Sequence, residues 1–167
     1  MEWKRNNKVI KEPLIEYLEK IFDEEMAKGH KLEVWVGTDS TKKGSKYSFA
    51  TVIVIRMTED MGGITVGRCG MIIYSTYDKA FKNMNKSGVN ERMVYEVGKS
   101  VGVAYELAPL LDLYEIPLEI HADINASSKH ESNKALSEAV GYILGMGYQF
   151  KIKPEALAAS YAADRMC

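Results

Sequence analysis

Apolar residues first recur at helical spacing: Leu14, Ile15, Leu18, Ile21, Phe22 and Met26 follow Pro13, so residues 13–28 predict an amphipathic helix that Gly29 closes. The period then shortens. LEVWVGTDS, YSFATVIVIR and ITVGRCGMIIYS are rich in β-branched and aromatic residues and are separated by a Lys/Gly turn at 42–46 and by EDMGG at 59–63. They predict an antiparallel meander. Helical spacing returns over 90–108, with Met93, Val97, Val101, Ala104 and Ala108 inward, and Pro109 is expected to bend or end that helix. LEIHADI at 118–124 predicts a fourth strand. Ser128 with Glu131 forms a capping-box pattern for a helix carrying Leu136, Ala139, Val140, Ile143 and Leu144. YQFKIK at 148–153 alternates as a fifth strand, and PEALAASYAADRM predicts a closing helix from Pro154.

After the first helix the predicted order is βββαβαβα, an α/β fold with a five-stranded mixed sheet. Right-handed crossovers put the C-terminal ends of the first, third, fourth and fifth strands on one edge. Open α/β sheets bind ligands there.

Asp39 closes the first strand on the face of Trp35 and Gly37, and Asp123 closes the fourth on the face of His121 and Asn125. Taken singly, each is equally a turn residue. About 100° per residue separates the helical glutamates: Glu96 borders the inward stripe, whereas Glu91 and Glu106 point outward. The plainer account of Glu96 is a flank residue paired with Arg92 or Lys99. Asp164 shares a side with Leu157 and Tyr161, an apolar face where an unpartnered carboxylate is costly. A helix starting at Pro154 would leave it about 15 Å down the axis, so the segment must open with a turn or cross obliquely. His121 is read as a buried histidine bonded to backbone.

Four carboxylates at one point repel, and Mg²⁺ or Mn²⁺ removes that conflict. Two such ions about 3.5 to 4 Å apart can activate water and stabilise the leaving oxygen of a phosphodiester displacement. Lys42, Lys43, Lys46, Lys79, Lys82, Lys86 and Lys129, with His130, fall in loops at or beside that edge, where they could track a sugar-phosphate backbone. Solvated lysine loops are also commonplace.

The 167 residues suit one catalytic or binding domain, read here as an N-terminal amphipathic helical extension over 1–29 and the α/β domain itself over 30–167. The extension offers a face for a homodimer. With 22 basic against 23 acidic residues the chain lacks the excess of a strongly basic nucleic-acid binder, so only the placement of charge can mark such a surface. No run approaches the roughly 20 apolar residues of a membrane span, no signal-peptide pattern precedes the first helix, and the expected compartment is the cytosol. Cys69 and Cys167 are read as free thiols, with no zinc-type spacing.

The ordered motifs VGTDS, ERMVYE, HADIN and KPEALAASYAADR resemble the YkuK family of the RNase H-like superfamily over about residues 30–167. That resemblance implies a five-stranded mixed sheet, two-metal phosphodiester hydrolysis with Mg²⁺ or Mn²⁺, and catalytic, metal-binding acids at Asp39, Glu96, Asp123 and Asp164. In RNase H the helical glutamate directly follows an Asn-x-Arg-Met stretch. Here Val94 follows Met93, so Glu91 stays a rival to Glu96. The implied substrate is RNA, an RNA/DNA hybrid or structured DNA. A non-catalytic module that holds nucleic acid or a protein on the same edge is the alternative. An actin-like phosphotransferase shares the core but needs two such domains.

Overall fold

The computed structural model describes residues 1–80, 86–123, 140, 141, 143–145 and 147–167, with the side chains of residues 69 and 86–90 outside that description. Its strands are β1 (Lys4–Arg5), β2 (Lys8–Val9), β3 (Lys31–Lys43), β4 (Lys46–Met61), β5 (Ile64–Lys79), β6 (Leu118–Ala122) and β7 (Gln149–Lys151). They form one sheet in the order β2-β1-β5-β4-β3-β6-β7. β3, β4 and β5 are the antiparallel meander, and β6 and β7 continue parallel to β3.

The sheet is therefore mixed, as expected, but has seven strands among the described residues rather than five. The two extra strands come from the first nine residues. Asn6 and Asn7 both take positive φ, 50° and 62°, which matches the right-handed twist of a tight hairpin, and Lys4 pairs with Tyr74 at the edge of β5. Trp3 is buried in the main core and anchors this hairpin. The meander strands also outrun their apolar stretches, because backbone pairing continues through Lys43 and Lys46 without any side-chain burial.

One sheet face carries the helices α1 (Leu14–Ala27) and α2 (Lys86–Leu113). Leu14, Leu18, Ile21 and Phe22 of α1 join Val34, Val36, Ile53, Ile55, Leu107 and Leu111 in one apolar cluster. Gly29, at φ +85°, closes α1 by donating to the Met26 carbonyl at 2.9 Å. α2 does not end at Pro109. The ring forfeits one backbone bond, but Leu107 on one side and Leu110 and Leu111 on the other are buried and hold the helix to the sheet. Its inward stripe is also turned from the predicted one and includes two polar residues, Glu96 and Ser100, beside Val97, Val103 and Ala104.

The other face is covered by a short C-terminal helix. Residues 153–155 form a turn, Leu157 is the first helical residue, Ala158–Ala163 wind as a π helix, and Asp164–Met166 finish as a 3-10 turn, so the closing helix starts three residues later than predicted. Ala158, Ala159 and Ala163 face the sheet, with no larger side chain between. Gly37 makes that approach feasible: a Cβ there would stand 2.6 Å from the Ala159 nitrogen. We expect Gly37→Val to cost about 1 to 3 kcal/mol by overpacking, read as a lower urea midpoint with unchanged slope. A midpoint equal to the parent's would show that the helix is not seated on this glycine.

The predicted cap at Ser128 and Glu131, and Leu136 and Ala139 after it, lie outside the described residues. Val140, Ile143 and Leu144 are helical, and Gly147 at φ +82° precedes β7. No described helix is long and apolar enough to cross a membrane.

Candidate functional site

The last paired residues of the parallel strands β3 and β6 are Thr38 and Ala122, so Asp39 and Asp123 are the next residue on each. Pairing fixes the face. Asp39 lies opposite Ala50, whose apolar neighbours include Ala158 and Ala163, so it points under the C-terminal helix with Gly37. Among the described residues, β6 ends here while β3 runs on to Lys43, and that step between the two strands is the notch beside Asp39. Its Oδ1 accepts the Ser40 backbone N–H at 2.8 Å. Burial pushes the Asp39 carboxyl above its ordinary value, Asp123 and Asp164 add to that push, and the Ser40 bond and Arg92 oppose it.

Ser40, one residue on, points to the opposite face and meets α2. Its hydroxyl donates to Glu96 Oε1 at 2.6 Å. The Arg92 guanidinium lies 3.8 Å from the same oxygen and donates to the Ser40 carbonyl at 3.1 Å. Glu96 is only 6% exposed, whereas Glu91 is exposed, so helical rotation separates the two rivals. Burial lifts the Glu96 carboxyl to about 7; the Ser40 bond and Arg92 pull it down, and Asp39 and Asp123 push it further up. One turn later, Ser100 donates to Thr38 Oγ1 at 3.0 Å, and Thr38 is bonded to Thr51 at 3.0 Å. These polar side chains pin α2 to β3 beneath the site.

Asp123 is held from the other side. Its Oδ1 lies 2.6 Å from the Lys153 ammonium and accepts the Ser160 hydroxyl at 3.0 Å. The bond to Asp123 raises the lysine above its ordinary range, against the cost of burial, with the charges of Asp123, Asp39 and Asp164 adding to the rise. Asp164 does not lie on a buried apolar face. Its predicted companions Leu157 and Tyr161 are 43% and 61% exposed, because only alanines fit between this helix and Gly37. Asp164 is itself exposed, yet its charge reaches Asp39, Lys153 and Cys167, since the late helix start shortens its path to the notch.

His121, 1% exposed, is bonded to backbone as expected: its Nδ1 accepts the Ala158 N–H at 3.0 Å. That leaves Nε2 to donate to Glu119, 3.0 Å away. Burial depresses its pKa against the pull of Glu119, and the ring packs at 4.9 Å on Trp35. The imidazole thus tethers the first turn of the C-terminal helix two residues before Asp123.

Lys42, Lys43 and Lys46 are exposed on the β3–β4 hairpin, which projects past Asp39, and the Lys43 ammonium donates to the Cys167 carbonyl. Lys79 ends β5 with its ammonium 3.6 Å over the Tyr95 ring. Lys82, Lys129 and His130 lie outside the described residues, as does the side chain of Lys86. The Cys167 thiol is free, and the Cys69 side chain is not among those described.

Sequence reasoning overlooked Ser40, Lys153 and Ser160. Only Ser40 carries a local signal, as the residue after Asp39 that alternation turns toward α2. Lys153 and Ser160 reach Asp123 through chain separations that no period records.

Among the described residues, no three His, Cys, Asp or Glu side chains stand close enough together to hold a metal ion. The donor chemistry nevertheless suits a hard divalent cation. The acids offer oxygen only, and the ionised forms of Asp39 and Glu96 are disfavoured first by burial and then by neighbouring negative charge.

A family model described as Ribonuclease H-like matches residues 14–167. No curated protein and no solved structure matches the chain.

Proposed function

We propose, from the premise that this chain belongs to the ribonuclease H-like family, that it is a Mg²⁺- or Mn²⁺-dependent nuclease cleaving phosphodiester bonds in RNA, an RNA/DNA hybrid or structured DNA. A narrower kinship with the YkuK proteins rests on VGTDS, ERMVYE, HADIN and KPEALAASYAADR. The observation that carries the reading is the placement of Asp39 and Asp123 where the parallel pairing of β3 and β6 stops, with buried Glu96 bonded to Ser40 next to Asp39.

Divalent metal would supply activated water and neutralise the charge that develops on phosphate. The chain's own residues do the rest. Asp39 and Asp123 present their carboxylates side by side from neighbouring strands. Ser40 and Arg92 aim the Glu96 carboxylate toward the notch from the opposite face. Lys42, Lys43 and Lys46 on the projecting hairpin attract the backbone and hold its register, leaving cleavage to the acids.

The test is incubation of the full chain with labelled single-stranded, duplex, hybrid and junction substrates, with Mn²⁺ or with chelator. Cleavage that needs the metal is expected. Affinity, measured with Ca²⁺ in place of Mn²⁺, should fall with salt at a log–log slope of about −0.7 to −0.9 per phosphate contact.

The contacts already on Asp123 and Glu96 favour a second reading, a non-catalytic module whose carboxylates are satisfied internally by Lys153 and Arg92. It predicts binding without cleavage, magnesium without effect on stability or affinity, and equal weakening by salt for any strand.

A further inference from the structure

The hairpin that projects past Asp39 carries a second surface, on the face where α2 lies. Register sets Ser40 beside Phe49 and Phe49 beside Tyr77; two residues further on it sets Lys42 beside Tyr47 and Tyr47 beside Lys79. Alternation puts all six on the side of Ser40, which meets Glu96 of α2. Arg92, Tyr95 and Lys99 recur on α2 at spacings of three and four, so one side of the helix faces this corner of the sheet. Tyr95 packs edge-on against Phe49 and Tyr77 at 5.1 and 6.4 Å, and Phe49 stacks on Tyr77 at 5.5 Å.

Each tyrosine of this group has a cation over its ring. The Lys79 ammonium lies 3.6 Å from the Tyr95 centroid, Lys99 lies 5.3 Å from Tyr95 and 5.4 Å from Tyr77, and the Arg92 guanidinium lies 5.5 Å from Tyr47. Phe49 is fully buried, but the three tyrosines and the three cations are half-buried and reach solvent. Two ammonium groups share the Tyr95 ring, and an anion relieves their repulsion. Among the described residues no carboxylate pairs with Lys99. Arg92 makes the surface continuous with the notch, since the same guanidinium donates to the Ser40 carbonyl at 3.1 Å and lies 3.8 Å from Glu96. Cations interleaved with aromatic rings are what an unpaired strand requires: the cations take its phosphates and the rings take its bases. In a duplex the bases are already stacked on one another, and the ring faces have no base to receive.

We propose that this surface holds a single-stranded segment of the substrate beside the notch, with Arg92, Lys79 and Lys99 on its phosphates and Tyr47 and Tyr95 against its bases. Binding draws each cation from its ring to a phosphate and leaves the ring face to a base. The preferred substrate is then a nucleic acid with an unpaired flank, not an uninterrupted duplex. This rests on the nucleic-acid reading above and narrows it.

The experiment is fluorescence anisotropy of the full chain, with Ca²⁺ in place of Mn²⁺, on a labelled single strand and on a duplex of the same length. The proteins are the parent, Tyr47→Leu, Tyr95→Leu and Lys99→Met, with Tyr161→Leu as a control at an exposed tyrosine outside this surface. The parent should prefer the single strand. Each of Tyr47→Leu and Tyr95→Leu should bind the single strand about 5- to 150-fold more weakly and leave duplex affinity unchanged. Lys99→Met should lower the slope of log affinity against log salt by about 0.7 on the single strand. Tyr161→Leu should match the parent. Equal parental affinity for the two forms, tyrosine variants that bind the single strand like the parent, or equal losses on both forms would overturn the surface and leave the nuclease reading standing. A parent that binds neither form, nor a hybrid or junction, would remove both. If Tyr95→Leu fails to fold, Tyr47→Leu and Lys99→Met decide the matter.

Discussion

Asp39→Asn is expected to abolish metal-dependent cleavage, by more than about 100-fold, because even the outer partners of metal-binding side chains are worth about 10- to 100-fold each. The fold should survive. Asparagine keeps the Oδ1 that accepts the Ser40 N–H, and the side chain occupies the same volume opposite Ala50. Metal-free stability should rise, because burial and the charges of Asp123 and Asp164 already disfavour the ionised acid at this position. Losing activity through the metal while gaining stability without it distinguishes a functional acid from a turn residue. Cleavage at the parent's rate in Asp39→Asn would eliminate the site as drawn.

The second large effect is a pH dependence of folding centred on Glu96. In the folded chain its carboxyl is lifted from an ordinary 4.5 to about 7. The folded state therefore holds a proton that the unfolded state has released throughout that interval, and stability must fall as pH rises through it. Above pH 7 the whole penalty is present; below 4.5 both states are protonated and the penalty is gone. The displacement corresponds to about 3 kcal/mol at most. Glu96 is 6% exposed, so solvent does little to screen it. Urea unfolding of metal-free protein from pH 4 to 8 should show this decline, and Glu96→Gln should flatten it. Glutamine can still accept the Ser40 hydroxyl bond, so the variant should be more stable than the parent at pH 8 yet defective in cleavage. Mn²⁺ should recover the lost stability in the parent at pH 8 and not in the variant. Parallel pH profiles for the two proteins would mean that Glu96 is not the titrating group.

Several elements were legible because their signals are local or periodic. The meander shows in runs of β-branched residues, α1 in the spacing of Leu14, Leu18, Ile21 and Phe22, and Asp123 in its position just past β6; Asp39 was expected to end its strand, but β3 runs on to Lys43 and only its parallel pairing stops before Asp39. The N-terminal hairpin was not seen, since two-residue strands have no period; its one clue is the Asn6-Asn7 pair at the turn. Pro109 misled because a local helix-breaking cost is outweighed by the burial of Leu107, Leu110 and Leu111 around it. Asp164 misled for a related reason. Leu157 and Tyr161 suggested an inward face, but contact at Gly37 admits only alanine, and the large side chains were turned outward.

From residue order alone came the α/β class, the alternation that sets each strand's faces, and the placement of Asp39 and Asp123 on neighbouring parallel strands, because these depend on side-chain period and on the chirality of crossovers. Whether those acids meet cations or one another depends on packing. The Lys153 contact to Asp123, the Ser40 and Arg92 grip on Glu96, and the alanine face on Gly37 join residues separated by tens of positions. Such pairings follow from strand register and helix seating, which are settled by the burial of the whole core and leave no periodic trace in any one segment.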